Sequence, residues 1–207
     1  MMSIKKITSL VLFLSISSSS AFAKEYRFFG YHLPAPPAAG TAAYDQDFIT
    51  LHQLQDHRTP EECAAADAES SFTLENGFGP ATGVLTDAEV KQAKFLSIRV
   101  IAKTAIAVFY YKQKFKRPRP FNEDKTLTPC VHIPHDLAYP SGHSATGYAL
   151  ALALSKKFPA KRDIIMQQGL QIGENRLIGG VHHPSDVEAG RVLAAQVVKH
   201  MYVSQAH

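Results

Sequence analysis

At 207 residues, with 45% hydrophobic and only 19% charged side chains, the chain has enough apolar material for one compact core and too little charge for intrinsic disorder. Its formal charge of +4 includes Lys5 and Lys6; 22 basic residues less these two, against 18 acidic ones, leave +2, a mild and scattered balance that argues against a nucleic-acid partner. Beyond residue 23 the best apolar run, Phe95–Tyr111, is broken by Arg99 and Lys103 and falls short of the roughly 18 uninterrupted apolar residues of a membrane span, so no transmembrane segment is expected in the mature chain.

Residues 1–23 have the layout of a signal peptide. Lys5 and Lys6 precede the short apolar run Leu10–Ile16, a serine cluster follows, and Ala21-Phe22-Ala23 forms an A-x-A cleavage site. The expectation is a secreted or periplasmic protein that begins at Lys24, with residues 24–207 as its single domain. Within a leader over residues 24–43, Leu33-Pro34-Ala35-Pro36-Pro37 cannot be regular helix and is expected to lie extended over the surface. Export puts Cys63 and Cys130 in an oxidising compartment, where one disulfide is the expected state and two free thiols the alternative. Neither cysteine has the neighbours at ligand spacing that a zinc site needs.

Helical punctuation dominates the rest. Thr59-Pro60-Glu61-Glu62 combines a capping threonine, a proline at the first helical position and a glutamate three residues on, ahead of an alanine-rich run. Thr86-Asp87-Ala88-Glu89 repeats the box, and Ala93, Leu96, Val100, Ile101, Ala105 and Val108 keep helical spacing in what should be the longest helix, ending near Lys116 because Pro118 and Pro120 follow. Further helices are predicted from about Ser144 to Lys157, Lys161 to Arg176 and Ser185 to Val203, the last opened by a third box, Ser185-Asp186-Val187-Glu188. With no convincing period-two run, the fold class is all-α, a single-domain helical bundle.

Three polar clusters stand at predicted helix ends. Lys112 and Arg119 close the long helix, where cations favour the dipole, and the prolines around Arg119 fix how it leaves the helix. Pro140-Ser141-Gly142-His143 opens the next helix, whose free N–H groups make an anion site; glycine allows close approach, serine adds a hydroxyl and histidine a proton that can be given away near neutral pH. Arg176, His182 and Asp186 form the third, with His182 and Asp186 four apart so that the carboxylate can accept from one ring nitrogen and leave the other free. Cations, N–H donors and two histidines fit a tetrahedral oxyanion, one ring attacking phosphorus and the other protonating the leaving oxygen.

Taken in order, Lys112-x6-Arg119-Pro120, Pro140-Ser141-Gly142-His143 and Arg176-x5-His182-x3-Asp186 resemble the three-part signature of the type-2 phosphatidic acid phosphatase and vanadium haloperoxidase superfamily. The leader Leu33-Pro34-Ala35-Pro36-Pro37 with Tyr44-Asp45, together with Arg119-Pro120-Phe121 and Tyr139-Pro140, is similar to bacterial class A nonspecific acid phosphatases. That resemblance implies a helical bundle and an acid phosphatase acting on phosphate monoesters of small, varied substrates without a metal cofactor. It implies His182 as nucleophile, Asp186 as its orienting carboxylate, His143 as general acid and then base, and Lys112, Arg119, Ser141, the Gly142 N–H and Arg176 as phosphate holders. Phosphate-like oxyanions such as vanadate should inhibit it. A lipid phosphate phosphatase at the membrane face and a vanadium-dependent haloperoxidase are the alternatives within the same motifs.

The sequence departs from the family pattern at Asn175, where serine is usual, and at Leu137, Ala138 and Ser144, where glycine, serine and threonine are common; retuned rather than lost activity is expected. His183 reads as a pocket wall or supporting residue, and Lys114, Lys116 and Arg117 as a solvated cationic rim. A homo-oligomer is compatible with the sequence, because a helical face that binds a partner looks like one that faces the core.

Overall fold

The computed structural model of the chain describes residues 26–203, so the signal peptide expected at residues 1–23 lies outside the described residues. A short antiparallel hairpin, β1 (Tyr26–Phe28) and β2 (Tyr31–Leu33), precedes helices α1 (Ala42–His57), α2 (Pro60–Ala68), α3 (Leu74–Phe78), α4 (Asp87–Phe115), α5 (Pro120–Glu123), α6 (Gly142–Lys157), α7 (Arg162–Ile178) and α8 (Pro184–Val203). The architecture is all-α, as the helical spacing predicts.

Helix α6 is the hub. Leu150, Leu154, Ala149, Ala151 and Ala153 are all buried, because α6 packs against α4, α7 and α8 on different sides. An apolar helix with no polar stripe is what a central position demands, and each fully buried leucine contributes about 2 kcal/mol. Close approach rests on small residues. A Cβ on Gly190 of α8 would stand 2.8 Å from the Ser141 carbonyl oxygen and 2.9 Å from the Ala145 amide nitrogen, so glycine there lets α8 touch the first turn of α6.

The capping boxes of α2 and α4 form as their sequences predict: Thr59 with Glu62 and Thr86 with Glu89 exchange side-chain and backbone hydrogen bonds. Helix α4 buries Val90, Ala93, Val100, Ala107, Val108 and Tyr111 on one stripe and ends where Lys116 turns left-handed at φ 50°. The third box does not form. Ser185 lies inside α8 rather than at its cap, and its hydroxyl hydrogen-bonds the Asp47 carboxylate.

The sequence reading misses the hairpin, α1 and the short helices α3 and α5. Helix α1 buries only Asp47 and Leu51, too narrow a face to register as periodic. Nor does the leader simply lie extended. Its hairpin is fastened to the core: Gln196 bonds both the N–H (2.7 Å) and the C=O (2.8 Å) of His32, Tyr111 donates to the Tyr31 carbonyl at 2.8 Å, and Leu33 is fully buried. Cys63 and Cys130 form a disulfide that joins α2 to the segment between α5 and α6.

Candidate active site

The C-terminal end of α4 with the start of α5, the N-terminus of α6 and the α7–α8 turn converge on one cavity of about 400 Å³. Lys112, Arg119, Gly142, His143, Arg176 and His182 line its polar side, with Asp136 at the edge. Phe72, Ile101, Ala105, Val108, Phe109 and Pro134 line its apolar side. Of the residues the sequence singles out, Ser141 and Asp186 stand behind this wall. Ser141 is fully buried and accepts the Ser144 N–H as the N-cap of α6, while its own N–H donates to the Asp186 carbonyl at 2.9 Å.

His182 sits on the turn that precedes α8, buried at 2% exposure. Arg119 Nη1 lies 2.7 Å from its Nε2 and Asp186 Oδ2 lies 3.3 Å from its Nδ1. A guanidinium only donates, so Nε2 must offer its lone pair and the ring proton resides on Nδ1, facing the carboxylate. Burial and the neighbouring Arg119 hold the His182 pKa well below that of an ordinary imidazole. The ring is therefore neutral, with its unprotonated nitrogen turned toward Arg119.

Asp186 is held more firmly than a single histidine would require. Its Oδ2 also accepts the His183 N–H at 2.8 Å and lies 2.9 Å from His183 Nδ1, while Oδ1 takes Arg117 Nη1 at 2.7 Å. Burial alone would raise its pKa, yet the bonds to His182 and His183 and the Arg117 charge together hold it well below the carboxylate range. Arg117 is not the solvated rim residue expected: it is 5% exposed and bridges Asp186 to Asp47 of α1, at 2.9 Å. His183 does support the site, with Nε2 3.3 Å from Glu123.

The three cations are nearly sequestered from water, with exposures of 7% for Lys112, 3% for Arg119 and 2% for Arg176. Burial first, and then the charge of Arg119, lowers the pKa of Lys112 and brings that of Arg176 down to about 10. Asp136 meets two of them: one carboxylate oxygen contacts Lys112 and the other Arg119, and Arg119 Nε donates to the Asp136 carbonyl at 3.0 Å.

His143, in the first turn of α6, has Nε2 3.0 Å from the Glu69 carbonyl. Burial, and then the charge of Arg176, push its pKa down to about 4. Glu69, at the end of α2, also ties down Asn175, whose Nδ2 donates to its carboxylate at 2.8 Å. Asn175 thus binds a neighbour across the fold. Asp47, Glu69, Arg117 and Asp136 are the supporting residues that sequence reading misses. Only Arg117 carries a local signal, an arginine set before Pro118 in the same arrangement as Arg119 before Pro120.

Three buried cations and a neutral imidazole on one cavity, at the helix ends of an all-α bundle, make a site suited to an oxyanion. Residues 94–206 match the model of the PAP2 superfamily, and the chain belongs to that superfamily. It is 33% identical over 176 residues to a non-specific acid phosphatase of Providencia stuartii, covering 80% of this chain and 71% of that one. With such relatives the chain is a phosphoric monoester hydrolase.

Solved structures share its fold. A transmembrane PAP2-type phosphatidylglycerolphosphate phosphatase from Bacillus subtilis aligns with TM-score 0.60 at 19% identity, covering 81% of this chain and 88% of that one. A bacterial vanadium-dependent iodoperoxidase aligns with TM-score 0.59 at 18% identity, covering 81% and 52%. No helix among the described residues is long and apolar enough to cross a membrane.

Proposed function

We propose that the protein is a secreted or periplasmic acid phosphatase that hydrolyses small phosphate monoesters through a phosphohistidine, using fixed cations instead of a metal. The observation that carries this reading is the state of His182: neutral, backed by Asp186 at Nδ1, and offering Nε2 to the place where Arg119 points. Lys112, Arg119, Arg176 and the Gly142 N–H at the start of α6 hold the phosphoryl oxygens, supplying the charge that a metal ion supplies elsewhere. Ser141 contributes by capping α6, which aims that N–H.

In the first step Nε2 forms a bond to phosphorus as the ester P–O bond breaks, and His143 gives its proton to the departing oxygen. In the second, water attacks phosphorus, its proton passes to His143, and the P–N bond breaks to return His182 and release phosphate. A carbonyl only accepts, so Nε2 of His143 keeps its proton against Glu69 and the catalytic proton travels through Nδ1. Two features support an acid optimum. His143 must be protonated at the start, and its lowered pKa makes that form scarce at neutral pH until a substrate's negative charge enters.

The test is hydrolysis of p-nitrophenyl phosphate by the purified protein from pH 4 to 9 with EDTA, beside His182→Ala. Activity that resists EDTA, peaks on the acid side and falls at least about a thousandfold in the variant is expected. Activity that EDTA abolishes, or that survives His182→Ala, refutes the mechanism. Vanadate should inhibit competitively, and mass spectrometry of the processed N-terminus should begin at Lys24.

A further inference from the structure

We infer that Asp136 is an internal counter-anion, a positioning residue that holds Lys112 and Arg119 in the resting enzyme and yields them to the phosphate group when substrate binds. The inference rests on the phosphate-holding roles proposed above. Its geometric basis is that one carboxylate contacts both cations at once, each through a different oxygen, at the edge of the catalytic cavity.

The physical need comes from the cations. Lys112 and Arg119 are almost wholly buried, and two like charges in a water-poor pocket repel one another unless an anion stands between them. Asp186 is committed to His182, His183 and Arg117. Asp136 satisfies both cations, and it is built differently from Asp186. Its side chain is 59% exposed, and it lies in the irregular segment between α5 and α6, so it can swing into water at small cost. A phosphate monoester brings more negative charge and more acceptor oxygens to the same two donors, and therefore displaces it.

The same exchange uncovers the attacking nitrogen. Arg119 is pinned from one side by the Asp136 carboxylate and carbonyl, and its Nη1 caps His182 Nε2. The Asp136 and Val181 carbonyls keep Arg119 anchored, at 3.0 and 2.7 Å, while a phosphate oxygen that replaces the carboxylate competes with His182 Nε2 for Nη1. After hydrolysis the carboxylate returns and competes with the product, which speeds its release.

Titration with inorganic phosphate, followed by calorimetry on the purified wild-type, Asp136→Asn and Asp136→Glu proteins, reads this directly. Removing the competitor should tighten phosphate binding about tenfold in Asp136→Asn, whereas Asp136→Glu, which keeps the charge, should stay near wild type. With p-nitrophenyl phosphate, KM should fall in Asp136→Asn while kcat does not rise. A merely structural role predicts the reverse, a loosened site that binds phosphate less well. Binding that is unchanged or weaker in Asp136→Asn overturns the inference, as does a variant that stays unfolded in saturating phosphate, since phosphate should replace the lost anion. Because phosphate binding needs no turnover, a wild-type protein that binds phosphate without hydrolysing esters would sink the proposed function while leaving Asp136 testable.

Discussion

Burial shifts single residues in this site, a neighbouring arginine pushes both histidines further the same way, and the two rings show the consequence for stability. His143 has a pKa of about 4 when folded because burial and Arg176 disfavour its cation, against about 6.5 in an unfolded chain. Between those values the unfolded state binds a proton that the folded state refuses, so stability declines as pH falls from about 6.5 to 4, by about 3 kcal/mol for this ring alone. His182 shifts in the same direction, and Asp186, also depressed, begins to lose its contribution as pH falls through the ordinary carboxylate range, where the unfolded chain takes up the proton. Thermal unfolding measured from pH 7 to 4 should show this slope, and His143→Gln should flatten it. An unchanged slope in the variant would mean that His143 takes up its proton in the folded protein as it does in the unfolded chain. His182 and Asp186 could be paired from their spacing, and His143 from its place at a helix start. Arg117 was misread because neighbouring lysines at a helix end normally face water, and its buried partners Asp47 and Asp186 lie 70 and 69 residues away.

Elements carry the next level, because the site is assembled from helix ends and depends on how closely helices approach. Capping boxes at Thr59 and Thr86 and the prolines after Lys116 are local signals, so α2 and α4 were legible. The box at Ser185 failed because a tertiary partner, Asp47, takes the hydroxyl that a cap would use. Helix α3, capped by Thr73 and Asn76, is one turn too short for periodicity to reveal. Contact between α6 and α8 is equally invisible in sequence, yet it sets where Gly142 and His143 stand relative to His182. Gly190→Ala tests it. Its methyl group would meet backbone atoms of Ser141 and Ala145 rather than a flexible side chain, so relief requires moving a helix. The variant should lose about 1–3 kcal/mol, more than the roughly 1 kcal/mol that alanine gains in helix propensity, and its kcat should fall with it. Denaturant titration that finds Gly190→Ala as stable as wild type would show that the α6–α8 approach has slack.

At the scale of the whole molecule, a covalent tie that the sequence announces only as two cysteines braces the elements around the site. The bond between Cys63 and Cys130 spans 67 residues of sequence, a separation for which loop-closure entropy gives about 4 kcal/mol. Its position matters as much as its entropy. Cys63 lies on α2, and Glu69 at the end of that helix uses its carbonyl to hold His143 and its carboxylate to hold Asn175, next to Arg176. Cys130 lies in the segment that carries Asp136, while its N–H donates to the Gly179 carbonyl at the end of α7. Cutting the bond therefore loosens the support of His143 on one side and of Arg119 on the other, although no cysteine touches the cavity. The Cys63→Ser/Cys130→Ser double variant should unfold at a lower temperature and, well below that temperature, should lose kcat several-fold with the general-acid limb of its pH profile displaced. Phosphate binding should change less, because Lys112 is fixed by α4 itself. Equal kcat in the folded double variant would reduce the disulfide to a stability device and return the positioning of His143 to packing alone.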